Sequence, residues 1–329
     1  MRHRVRRLVA LIGIIALLVT ASVANAAEIA WRSFTFEGID RIYGVYAPVD
    51  PTDPAPLVVL LHGGGGRAVK TWTQEHGRSW RALADEHGFV LLLPEGLDDP
   101  GDEDSHHWND CRIGLDESVI ATNALDVGFV VGLIEHVSGF LPIAPTRVYA
   151  TGASNGGMMT YRLAIEAPAV FAAAAAVIAN LPEPSECERA TVPVPMLIMN
   201  GTEDPLMPFD GGCVAGDRCR RGRVMSTADT VAFWVETNGA SRDPSVTQLP
   251  QRSWLDASSV IVYRFEGGQD GADVVYYHVK GGGHTVPGFE SHPVARRLIA
   301  GPKNRDIDAA SEIWAFFQQH RSDNPAVNR

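Results

Sequence analysis

The chain has 329 residues, 45% of them hydrophobic, 20% charged and 8% aromatic. That excludes a disordered or fibrous polypeptide and fits a globular protein with a sizeable core. Acidic residues outnumber basic ones 39 to 28, a net charge of −11 at pH 7, which leaves no electrostatic footprint for nucleic acid or an anionic membrane.

Residues 1–26 have the layout of an export signal. Arg2, Arg4, Arg6 and Arg7 precede an apolar run at 8–19, and Ala24-Asn25-Ala26 offers a small-x-small cleavage site. The run is shorter than the ~20 residues that span a bilayer, and no stop-transfer charge cluster follows, so a cleaved signal is expected rather than a stable membrane anchor. Residues 27–329 are then expected to form one secreted or periplasmic domain. Nothing in the sequence sets its oligomeric state.

Along that domain the pattern predicts strands at 42–47 and 57–61, a helix at 71–87, a strand at 90–93, a helix at 126–138 and a strand at 147–151. A helix at 156–167, strands at 173–178 and 196–199, a helix at 227–238, strands at 260–265 and 274–279, and a helix at 308–320 complete it. Apolar strands without strict alternation, separated by helices, indicate an α/β fold with a mostly parallel central sheet and helices on both faces.

The residues that carry chemistry fall where strands end. The strand at 147–151 runs into Gly152-Ala153-Ser154-Asn155-Gly156 and then a helix. This is G-x-S-x-G in the strand–turn–helix setting that holds a nucleophilic serine clear of a sheet on a sharp turn. The strand at 57–61 leads into His62-Gly63-Gly64-Gly65-Gly66. Phosphate-loop spacing fails, because Val69 rather than glycine precedes Lys70-Thr71. Upstream of a nucleophile elbow, the glycines read instead as half of an oxyanion hole, with the N–H groups of Gly64, or alternatively Gly65, and of Asn155 as donors and His62 as support for the loop. A serine needs a base and the base an orienting acid, in the chain order Ser, Asp/Glu, His. Asp204 follows the strand at 196–199 as the candidate acid, with Glu203 and Asp210 as substitutes. His284, on the glycine-rich loop after the strand at 274–279, is the candidate base, with His292 in reserve and His278 read as structural.

Four cysteines would meet an oxidising compartment, where two disulfides are the default. Three pairings are open; the short segment between Cys213 and Cys219 favours a local bridge, leaving Cys111 with Cys187. No zinc spacing occurs, and the acidic run 98–104 lacks the alternating ligands of a calcium loop, so it is expected as a solvated acidic loop. Trp108, after His106-His107, is the candidate substrate-binding wall. Neither a metal nor a cofactor is expected.

Taken together, LHGGGG from residue 61, GASNGG from 152, NGTEDPLMPF from 200 and GGGHTVPG from 281 resemble the polyhydroxybutyrate depolymerase/feruloyl esterase-like group of secreted α/β-hydrolases. Trp108-Asn109 and Asp126-Val127-Gly128-Phe129 add to the resemblance, while Val286 and Leu125 depart from it. The resemblance implies an α/β-hydrolase fold, a triad of Ser154, Asp204 and His284, and an ester substrate, whether a small molecule or a short oligomer. A serine peptidase would use the same triad, and a catalytically silent binding protein could keep the same scaffold. Acyl transfer through an acyl-enzyme is the expected chemistry.

Overall fold

The computed structural model describes residues 28–48, 53–116, 124–187, 190–216, 218–252, 257–291 and 293–322. The export signal at 1–26 and His292 lie outside the described residues. Strand β1 (Ala30–Phe36) pairs antiparallel with β2 (Ile39–Tyr46). The wholly apolar β3 (Ala55–Leu61) follows, and every one of its residues is buried.

The helix expected at 71–87 is two helices, α1 (Ala68–Thr73) and α2 (Glu75–His87). Gln74 between them is extended (φ −73°, ψ 167°), and its N–H closes α1 on the carbonyls of Lys70 and Thr71. Gly77 then lets α2 start against the Thr71 and Trp72 carbonyls, where a Cβ would collide. Next come β4 (Val90–Pro94) and a hairpin of β5 (Leu97–Asp99) and β6 (Asp102–His107). The hairpin corrects the expected acidic loop in part: Asp102 to Asp104 are solvated, but Asp99 is buried.

The chain continues through α3 (Asp126–Ser138), β7 (Ile143–Ala153), α4 (Asn155–Glu166), β8 (Ala173–Val177) and β9 (Met196–Gly201). A two-residue pair, β10 (Gly212–Cys213) and β11 (Arg223–Val224), precedes α5 (Thr227–Asn238). The antiparallel β12 (Ser245–Gln248), β13 (Ser259–Phe265) and β14 (Val274–Lys280) follow, then α6 (Val294–Ala300) and α7 (Ala309–Phe317).

Ten strands form one sheet in the order β1-β2-β4-β3-β7-β8-β9-β14-β13-β12. From β4 to β14 every neighbouring pair is parallel, and antiparallel strands extend both edges. Side chains alternate across the sheet as strand geometry requires. Leu57, Val59 and Leu61 pack with Phe129 and Leu133 of α3 and Met159 and Leu163 of α4. Val58 and Leu60 face the other way, onto Trp80 of α2 and Trp314 and Phe317 of α7. Helices therefore cover both faces, and the strand ends between them are left to carry loops. That is the α/β-hydrolase arrangement.

Cys111 bridges Cys187 and Cys213 bridges Cys219, with Cα separations of 5.3 and 4.6 Å. The first bridge closes a 76-residue span, worth ~4 kcal/mol in the chain-entropy account of such loops. It ties the segment after β6 to the segment after β8, where Glu186 N–H also donates to Cys111 O at 3.0 Å. No helix among the described residues is long and apolar enough to cross a membrane.

Candidate active site

Ser154 stands between β7 and α4 with φ 58° and ψ −124°, a left-handed conformation rare for a side-chain-bearing residue. Backbone strain of this kind persists only where the surroundings enforce it. Here Ser154 N–H donates to Val177 O at 2.9 Å, and Ser154 O accepts from Met158 N–H at 2.9 Å. Small neighbours make the turn feasible. A Cβ on Gly152 would sit 2.5 Å from the Gly156 backbone, and one on Gly156 would run into the carbonyls of Leu61 and His62.

The other two expected residues arrive from the ends of β9 and β14. Ser154 Oγ–H donates to His284 Nε2 at 2.9 Å, and His284 Nδ1–H donates to Asp204 Oδ2 at 2.7 Å. The Asp204 side chain is 2% exposed and that of His284 12%, so one is sheltered and the other reaches the cleft. Asp204 Oδ1 accepts from the N–H groups of Leu206 and Met207 at 2.8 and 2.7 Å, which fixes the carboxylate. The histidine loop is held by backbone contacts: Gly283 N–H donates to Pro302 O and His284 N–H to Ala300 O. Each turn is also stitched to the next one across the sheet. Ile178 N–H donates to Met199 O, Thr202 N–H to Val279 O and Glu203 N–H to Gly282 O. Neither substitute acid, Glu203 or Asp210, takes the place of Asp204 at His284.

A cleft of about 670 Å³ opens over Ser154 and His284, and Gly63 to Gly66 form part of its wall. The glycine loop is docked on β6, where Gly65 N–H donates to His106 O at 2.9 Å. His62 lies beneath it: Nδ1–H donates to Gly63 O at 2.8 Å and Nε2 accepts from Gly96 N–H at 2.9 Å. With both ring nitrogens engaged and the side chain buried, burial pushes the imidazole down from 6.5 to about 3, which keeps it neutral. A depressed histidine pKa gives stability that is present above the unfolded value and lost as pH falls through the folded one. Thermal unfolding midpoints should therefore decline as pH drops from 6.5 towards 3, and decline less steeply in His62→Gln.

Trp108 does not form a substrate wall. It is 0% exposed, because its indole N–H donates to His62 O at 2.9 Å and its ring packs 4.9 Å from that of His62. It braces the glycine loop from behind. Its backbone also clamps the Asn155 side chain: Trp108 N–H donates to Asn155 Oδ1 at 2.8 Å, and Asn155 Nδ2 donates to Trp108 O and to Asp110 Oδ2. Asp110 is in turn paired with Arg112 at 2.8 Å, both side chains being buried.

Gly64 lines the cleft against His107, and a Cβ there would stand 2.5 Å from His107 Nε2. Gly64→Ala must shift either the ring or the loop. A loss of ~10²–10³ in turnover is expected, comparable to removing one oxyanion donor, and steady-state kinetics on any accepted ester would measure it.

Comparison with known proteins joins this geometry to a lineage. Residues 42–181 match the family model described as esterase PHB depolymerase. A protein named as an esterase, NocK of Nocardia uniformis subsp. tsuyamanensis, is 33% identical over 306 residues, covering 90% of this chain and 84% of its own. The chain belongs to the esterase/PHB depolymerase family. It is a carboxylic-ester hydrolase. Feruloyl esterase C of Emericella nidulans is 29% identical over 165 residues, half of this chain and 54% of its own length. An acetyl xylan esterase structure from Aspergillus awamori superposes with a TM-score of 0.53 at 15% identity, covering 82% of this esterase and 98% of that chain, a likeness of fold.

Around the site of this esterase, Asp99, Asp110 and Arg112 are the residues that sequence reasoning missed. They follow no motif: Asp99 is placed by the β5–β6 hairpin, and Asp110 and Arg112 flank the Cys111–Cys187 bridge.

Proposed function

We propose that this esterase is an exported enzyme of one domain, residues 27–329, that works through Ser154, His284 and Asp204. The carrying observation is the unbroken relay of 2.9 and 2.7 Å from serine through histidine to a carboxylate anchored by two backbone donors. His284 Nε2 takes the Ser154 proton as Oγ bonds to the ester carbonyl carbon. The N–H groups of Gly64 and Asn155 hold the oxyanion, and Asp204 stabilises the imidazolium. The intermediate collapses as His284 returns the proton to the leaving alcohol. Water, deprotonated by the same nitrogen, then releases the acid and restores the serine. The step sequence draws on no cofactor.

For substrate, hydroxyalkanoate oligomers and feruloyl or acetyl esters fit the family, and the two disulfides suit secretion or the periplasm. The test is purified protein assayed on 3-hydroxybutyrate dimer and trimer, methyl ferulate, acetylated xylan and simple alkyl esters, each beside its matched amide. Hydrolysis of at least one named ester class, with amides slower by orders of magnitude, supports the proposal. Equal turnover of amides overturns it in favour of peptidase chemistry.

A further inference from the structure

A second histidine–aspartate pair stands beside the cleft, and the relay just described does not use it. His107 closes β6, and its Nδ1–H donates to Asp99 Oδ2 at 2.6 Å; Ser105 Oγ donates to the same oxygen at 2.5 Å. Asp99 is buried, and its Oδ1 has no hydrogen-bond partner among the described residues, so the partners of this carboxylate there are the His107 ring and the Ser105 hydroxyl. The far nitrogen, Nε2, has no hydrogen-bond partner among the described residues, and His107 lines a cleft shared with Gly64, Ser154 and Asn155. A Cβ placed on Gly64 would lie 2.5 Å from that nitrogen and 3.3 Å from Asn155 Cβ, so all three meet at one point of the wall. His62, by contrast, has both ring nitrogens satisfied by the backbone and only supports the loop.

The tautomer decides what His107 can do. Asp99 draws the proton to Nδ1, which leaves a lone pair on Nε2. Burial lowers the pKa of the ring and favours this neutral form. A lone pair repels an oxyanion, so His107 is not a third oxyanion donor. It suits an O–H group of the substrate. With the leaving alcohol at His284 and the carbonyl oxygen at the Gly64 and Asn155 N–H groups, the acyl chain is the remaining substituent, and its first carbons run past the wall that His107 shares with Gly64.

We propose that His107 is a specificity residue that accepts a hydrogen bond, through Nε2, from a hydroxyl on the acyl portion of the ester, and that Asp99 positions it by fixing the tautomer. This rests on Ser154 being the nucleophile. The test compares four-carbon acyl esters of one alcohol that are unsubstituted, hydroxylated at C2, C3 or C4, or carry a keto oxygen at the same carbon. Wild type is expected to favour the best hydroxylated ester in kcat/KM by roughly tenfold or more over the other two, since a keto oxygen presents only lone pairs. His107→Phe and His107→Ala should bring both ratios near 1. His107→Gln, which keeps an acceptor, should retain part of the preference, and Asp99→Asn should lower the hydroxyl-to-keto ratio.

Labelling of Ser154 by a phosphonate counts the competent fraction of each variant, so the ratios are read only on folded enzyme. Equal handling of hydroxyl and keto esters by wild type overturns the proposal, as does a hydroxyl preference that survives undiminished in labelled His107→Phe and His107→Ala. Failure of wild type to label at Ser154 is a different result: it removes the nucleophile assignment beneath the proposal.

Discussion

Turnover by Ser154→Ala is expected to fall by about six orders of magnitude, the scale seen when a triad serine is removed from another hydrolase. The expectation follows from Ser154 Oγ–H being the group aligned on His284 Nε2 at 2.9 Å, on a backbone whose φ of 58° puts it at the mouth of the cleft. The fold should survive. Alanine keeps the Cβ that the site already accommodates, and the elbow's bonds to Val177 and Met158 are backbone to backbone. Single-turnover assays, with thermal unfolding alongside, give the measurement. A variant with near wild-type rates would move the nucleophile elsewhere. The His284→Ala variant should be similarly inactive.

Asp204→Asn is expected to cost ~10⁴ in turnover with little change in structure, and the local bonding says why. Leu206 and Met207 both point N–H groups at Oδ1, so the asparagine must put its carbonyl oxygen there and turn its NH₂ towards His284. The imidazole then has to accept at Nδ1 and carry its proton on Nε2. In that tautomer it cannot take the proton of Ser154. If Asp204→Asn retains normal rates while Asp210→Asn is inactive, the acid lies at the later position.

Much of this was legible because buried parallel strands are apolar throughout and end in glycine-bearing turns, so β3, β7, β9 and β14 announce both themselves and the loops they carry. The edges of the sheet escaped. All four residues of β12 are exposed, and β1 interrupts its apolar residues with Arg32, Ser33 and Thr35, so neither carries the continuous apolar run by which the central strands are found. The break between α1 and α2 falls at Gln74, where no proline or glycine marks it; the nearest clue is Gly77, whose role is a close approach between helices. Trp108 failed as a substrate residue because an aromatic beside two histidines looks the same in sequence whether it faces a cleft or the back of a glycine loop. Its burial depends on an indole bond to a carbonyl 46 residues away. Asp99 and Asp110 were unreadable for a related reason: carboxylates earn buried positions through partners, and His107 and Arg112 become partners only once the hairpin and the loops fold.

The backbone bonds that stitch the elbow, the β8 end, the β9 turn and the β14 turn together carry a consequence for how the enzyme fails. The amides of Ser154, Ile178, Thr202 and Glu203 belong to the turns that end the most deeply buried strands. Ser154, Ile178 and Thr202 donate to carbonyls inside β8, β9 and β14, so opening a surface loop alone does not release them. Their hydrogens should exchange with solvent only through the opening that dismantles the whole sheet, as in the slowest-exchanging unit of a domain. Inactivation by urea should then trace the same transition as loss of secondary structure, with no folded, silent species between them.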